Sequence, residues 1–148
     1  MGRITRDQWA LELAVVTAKR STCVRRQVGC VLLNERGHVI ATGYNGVATG
    51  LEHCIDNPCP GARMKSGTGL DDCQAIHAEQ NALLQCRNVY EIDVAYITTS
   101  PCITCTKLLL NTSCKRIVYL EEYPHAQSSS IWMKTGRIWE KIDLFLEN

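Results

Sequence analysis

At 148 residues, with 45% hydrophobic and 21% charged residues, the chain has the size and composition of one globular domain, not of a disordered or fibrous segment. No apolar run approaches the roughly 18 residues that span a bilayer, and Met1 to Thr5 carry no signal-peptide apolar segment, so a single cytoplasmic domain over residues 1–148 is expected, with no membrane partner. A net charge of +1 with scattered Lys and Arg argues against a nucleic acid polymer as partner, and nine cysteines, an odd number, favour metal ligation over a disulfide framework.

Thr5 and Gln8 have capping-box spacing, and Trp9, Leu13 and Val16 recur at helical intervals, which predicts an amphipathic helix from residue 6 to about residue 20. Val28 to Leu33 and Val39 to Thr42 are β-rich runs on either side of the turn-forming Asn34-Glu35-Arg36-Gly37, the pattern of a hairpin. From Gly43 to Gln74 no periodicity is sustained, and His53, Cys54, Cys59 and Cys73 are interspersed among Gly, Pro, Asn and Asp. A stretch that long in a compact domain is functional or is held by something. Regular patterns then return. Ala75 to Cys86 reads as helix, Val94 to Thr98 as strand, Cys102 to Leu110 as helix, Ile117 to Leu120 as strand, Ser128 to Lys134 as helix and Ile142 to Leu146 as strand. The order αββαβαβαβ predicts an α/β sandwich with a five-stranded mixed sheet, antiparallel at the hairpin and parallel at the helical crossovers.

Two segments carry chemistry: His77-Ala78-Glu79 and Pro101-Cys102-Ile103-Thr104-Cys105. Alone, His-x-Glu is weak and Cys-x-x-Cys fits a redox pair, half a zinc ribbon or core. In this order, each at a predicted helix start, they match the H-x-E and P-C-x-x-C signature of zinc-dependent deaminases. Two thiolates and one imidazole make three zinc ligands, and catalytic zinc keeps its fourth position for water. Cys102 and Cys105 are spaced i, i+3, so both sulfurs lie on one helix face, where the helix N-terminus favours the thiolate. His77 supplies the third ligand. Because two thiolates cancel the charge of Zn²⁺, activating water needs a nearby base, and Glu79 fits: it takes the proton, delivers it to N3 of a pyrimidine, and later protonates the leaving ammonia.

At these residues the sequence resembles the cytidine and deoxycytidylate deaminase superfamily, nearest to its deoxycytidylate branch. Beyond the zinc motif, the likeness includes Arg20-Ser21-Thr22-Cys23, Val28-Gly29-Cys30, Gly43-Tyr44-Asn45-Gly46, His53-Cys54, Ile76 to Ala82 and Thr98 to Cys102. The resemblance implies a cytidine-deaminase-like three-layer sandwich, zinc-dependent hydrolysis of dCMP to dUMP and ammonia, and substrate contacts at Asn45 (sugar), Ala78, Ser100 (its carbonyl meeting the amino group) and Tyr123, the last of which fits core equally well. Arg25 and Arg26 are candidates for the substrate's 5′-phosphate, or belong to a solvated face. The long insert resembles one that in some relatives holds a second, structural zinc; Cys23, Cys54, Cys59 and Cys73, with His53 as substitute, are the candidate ligands, and reduced buried cysteines are the alternative. The resemblance also implies a homohexamer activated by dCTP and inhibited by dTTP, with Gly43, Tyr44 and Arg26 to Val28 as part of the effector site. Trp132 and Trp139 fit either subunit contacts or the core.

Two other readings compete. One is a different deaminase on the same scaffold, acting on dCTP, another cytosine nucleotide or a nucleoside. The other is a zinc-stabilised binding module without activity, whose sites would be closed by four ligands and would leave Glu79 without a purpose.

Overall fold

The computed structural model describes residues 2–23, 26–51, 75–124 and 126–144. Helix α1 (Arg6–Ala18) starts where the sequence places it, with the Gln8 N–H donating to Thr5 Oγ1 (3.1 Å) and the Thr5 N–H to Gln8 Oε1 (2.9 Å). Its buried face differs from the expected stripe. Ala10, Leu11, Ala14 and Ala18 are inside, whereas Trp9 and Val16 are 37% and 61% exposed. The helix lies directly on strand β1 (Gly29–Leu33): a Cβ on Gly29 would stand 2.0 Å from the Ala14 carbonyl oxygen. Alanine weighs little in a hydropathy pattern, yet only small side chains permit that approach.

Strand β1 pairs antiparallel with β2 (Val39–Tyr44) and, on its other side, with β5 (Val94–Thr99). Parallel to β5 run β6 (Arg116–Glu121) and β7 (Ile138–Lys141), reached through the crossover helices α3 (Ile103–Leu110) and α4 (Ala126–Met133). The five-stranded sheet has the order β2-β1-β5-β6-β7. Successive side chains alternate between its faces. Val31, Leu33, Tyr96 and Val118 pack with Leu11 of α1. On the opposite face Cys30, Leu32, Ile97, Ile117 and Tyr119 pack beneath α2 (Ala78–Gln85), α3 and α4, giving three layers. Trp132 and Trp139 pack in or against this core. Trp132 is fully buried with its Nε1 donating to the Ile138 carbonyl (2.7 Å), and the Trp139 Nε1 donates to Tyr119 Oη (3.1 Å).

Three boundaries correct the expectations. The last strand is Ile138–Lys141, not 142–146, of which 145 and 146 lie outside the described residues. Gly136, at φ +80°, turns the chain directly after α4, so the strand begins early, and its mixed residues suit a sheet edge better than the apolar run that follows. Helix α2 begins at Ala78 and not at Ala75, because His77 takes the capping position and its N–H donates to Gln80 Oε1 (2.8 Å). Ala75–Ile76 instead form β4, paired antiparallel with β3 (Gly46–Val47) in a small ribbon the sequence pattern does not predict. Among the described residues no helix is long and apolar enough to cross a membrane.

One ionic cluster ties the layers. Arg116 donates to both oxygens of Asp7 (2.9 and 2.7 Å) and to Glu140 Oε1 (2.7 Å), while the Tyr96 hydroxyl donates to Asp7 Oδ1 (2.6 Å). The Arg116 hydrogen bonds hold the Asp7 carboxyl below its ordinary pKa, outweighing its partial burial. A lowered folded-state pKa contributes stability that is present above the unfolded value and is lost as pH falls through the folded one. Asp7→Asn should therefore cost about 1–2 kcal/mol at neutral pH. In urea unfolding, the gap between variant and wild type should close as pH falls below the ordinary carboxylate range.

Candidate active site

The N-termini of α2 and α3 meet at the end of the sheet where β5 and β6 finish. His77 caps α2 and Cys102 caps α3, with the Cys102 sulfur accepting from the Cys105 N–H (3.5 Å). His77 Nδ1 lies 3.2 Å from Cys105 Sγ and 3.5 Å from Cys102 Sγ, and the ligand atoms of all three residues fall within 4.8 Å of one another. Thr106 closes the first turn of α3, its hydroxyl and N–H both donating to the Cys102 carbonyl (2.8 and 2.9 Å). Two sulfurs and an imidazole nitrogen, on caps and first turns of two helices, fit a borderline-soft dication such as zinc.

The electrostatics follow from that convergence. Hydrogen bonds from Cys105 and His77 bring the Cys102 thiol down to about 4 despite burial. Cys105 is pushed up, first because its proton is held against the Cys102 sulfur and then by burial. His77 is raised by its hydrogen bond to Cys102. Glu79, on the first turn of α2, is 5% exposed, and burial lifts its carboxyl to about 7. Beneath it, burial and the Glu79 charge push the Cys30 thiol up.

A family model for the "Cytidine and deoxycytidylate deaminase zinc-binding region" matches residues 4–121. The chain belongs to this family. Its sequence is 42% identical to the deoxycytidylate deaminase of Schizosaccharomyces pombe over 122 residues, 79% of this chain and 37% of that protein. It is 36% identical to the deoxycytidylate deaminase of Mycobacterium phage D29 over 130 residues, 82% of this chain and 99% of the phage protein. The chain thus spans less than half the length of the fission-yeast relative and nearly all of the phage one. The fold is that of the cyanophage S-TIM5 dCMP deaminase solved with dCMP and dUMP (TM-score 0.73, 23% identity, covering 96% of this chain and 100% of that one). Family membership accounts for the ligand cluster and for the three-layer sandwich around it.

Several other candidate residues are linked to one another in the structure. Ser100 is buried; its N–H donates to the Glu121 carbonyl (2.8 Å), its hydroxyl accepts from the Tyr123 N–H (2.6 Å), and its carbonyl is taken by none of the described residues. The Arg26 guanidinium lies 5.9 Å from the centroid of the Tyr123 ring. Asn45 is buried and its amide works on the backbone, accepting from the Val28 N–H (2.8 Å) and donating to the Arg26 carbonyl (2.6 Å). Cys23 is buried, while its expected metal partners Cys54, Cys59 and Cys73, with His53 and with Arg25, lie outside the described residues.

Gly43, a candidate for the effector site, also has a packing role. A Cβ there would stand 2.3 Å from the Ala78 carbonyl oxygen and 2.4 Å from the Ala82 nitrogen, so the missing side chain lets α2 seat on β2. Ala78 is fully buried at this contact, and Asn81 secures the seat by donating to the Tyr44 carbonyl (2.9 Å). Sequence spacing carries no signal for this, since the contact joins a strand and a helix across the long insert. Gly43→Ala should lower stability by roughly 3 kcal/mol and weaken zinc retention, because α2 must lift. In the same motif Gly46→Ala, whose Cβ meets the Thr22 hydroxyl at 3.1 Å, should be much milder. Urea unfolding with metal analysis of the two variants checks this contrast.

Proposed function

We propose that this chain is a zinc-dependent deaminase of dCMP, hydrolysing it to dUMP and ammonia. The observation that carries the reading is the buried Glu79 beside a three-ligand cluster: His77, Cys102 and Cys105 would hold the ion, and Glu79 is left over as a proton carrier. When bound, zinc supplies Lewis-acid activation of a water for attack on C4 of the cytosine ring. Glu79 takes a proton from that water and passes it to N3. It then shuttles the second proton to the amino nitrogen as the C4–N bond breaks, so one water is consumed and one ammonia leaves. A carboxyl raised to about 7 by burial both accepts and releases protons near neutrality. The Ser100 carbonyl accepts from the substrate amino group, and Ala78 lines the base pocket through its backbone.

Arg26 and Tyr123 form a wall for the rest of the nucleotide, with the guanidinium serving the 5′-phosphate and Asn45, which holds the Arg26 backbone, bordering the sugar. The phage relative that this chain matches over nearly its whole length is named for the same activity. Two finer features rest on the resemblance: a second, structural zinc held by Cys23, Cys54, Cys59 and Cys73, and a homohexamer activated by dCTP and inhibited by dTTP. The effector site is formed by Arg25, Arg26, Gly43 and Tyr44 with the backbone of residues 26–28.

Glu79→Gln should keep zinc and fold while lowering kcat by on the order of 10²–10⁴. Cys102→Ala should lose the ion itself. Ammonia release from dCMP together with metal analysis separates the two, and a zinc-loaded Glu79→Gln protein with wild-type turnover would remove Glu79 from the chemistry. For regulation, the dCMP saturation curve is expected to shift left with dCTP and right with dTTP, from a particle that light scattering sizes as a hexamer. A hyperbola unmoved by either nucleotide would remove the effector site.

A further inference from the structure

We infer that Tyr119, Glu122 and Trp139 are positioning residues that set the nucleotide-facing loop after β6; the inference rests on the deaminase reading above. Tyr119, within β6, is 4% exposed, and its hydroxyl is used in both directions: it accepts from the Trp139 indole (3.1 Å) and donates to the Glu122 carboxylate. The two rings pack at 5.6 Å between centroids, so a phenylalanine would fill the same volume. What the hydroxyl adds is a tether on an otherwise exposed glutamate. Burial and the Glu122 hydrogen bond raise the phenol to about 12, so it remains a donor throughout the working pH range.

The tethered residue is the immediate neighbour of Tyr123. That loop is also bonded to Ser100 on both sides of Glu122, through the Glu121 carbonyl and the Tyr123 N–H, and Ser100 lies two residues before the ligand Cys102. Three anchors on three consecutive residues hold the backbone that carries the Tyr123 ring, whose centroid lies 5.9 Å from the Arg26 guanidinium. Releasing the middle anchor lets the wall swing while the zinc ligands, on α2 and α3, stay where they are.

The test compares Tyr119→Phe, Glu122→Ala and Glu122→Gln, the last of which keeps a carbonyl acceptor for the phenol. In the first two, KM for dCMP should rise about tenfold with kcat within about twofold of wild type, and Glu122→Gln should restore most of the KM. Combined with Arg26→Ala, Tyr119→Phe should add little further, since both act through one wall. Amide exchange at Tyr123 should accelerate in Tyr119→Phe while the amides of α2 and α3 keep their protection. An unchanged KM in both tether-breaking variants, or kcat falling in step with thermal stability, would reduce the trio to packing. A zinc-loaded wild type that leaves dCMP intact would instead sink the deaminase reading, and this inference with it.

Discussion

The depth at which α2 sits on the sheet governs the end of the molecule that carries the metal-ligand cluster. Its backbone touches β2 at Gly43, with no room for a single carbon between them. The same helix carries His77 on its cap and Glu79 on its first turn, so the strand's backbone sets the height of both functional groups. Helix α3 follows β5 after a short connection, and the Thr106 bonds to the Cys102 carbonyl close its first turn. Three ligand atoms converge because the two helices start at the same edge of one sheet. The arrangement follows the general habit of open α/β sheets, whose ligands bind beyond the carboxyl ends of the strands.

That geometry also explains the charge pattern. Hydrogen bonds from the Cys105 thiol and from His77, with a smaller share from the Cys105 backbone N–H at the cap, let Cys102 ionise readily. Cys105 resists ionisation first because its proton is held against the Cys102 sulfur and then because it is buried, whereas Glu79 resists through burial. The site is thus asymmetric before any ion arrives. A dication among these groups would stabilise both thiolates, leaving Glu79 as the carboxyl beside them that is not a ligand.

What could be read from the sequence divides by the range of the interaction. The zinc motif was legible because Cys102 and Cys105 are one helical turn apart, and the capping pair Thr5 and Gln8 because its partners are three residues apart. The four helices and the first four strands of the five-stranded sheet are legible in order because periodicity is local. Interactions between distant backbones were not legible. Neither the alanine face of α1 nor the purpose of Gly43 leaves a hydropathy signal, since both depend on how closely a helix meets a strand. The last strand was assigned to the more apolar run at 142–146, whereas the edge of a sheet takes mixed residues, here Ile138–Lys141 with Glu140 bound to Arg116. Arg26 and Tyr123 were separate candidates, and the fold makes them a pair.

The ribbon of β3 and β4 gives the molecule a form of modularity. Gly46 stands opposite Ile76 and Val47 opposite Ala75, so the chain leaving the Asn45 corner and the chain arriving at His77 are already side by side. For a loop whose ends are fixed in this way, closure entropy grows only slowly with length. The length and composition of the segment between them should therefore bear little on where His77 and Glu79 stand: the ribbon, not the segment, delivers the chain to the cap of α2.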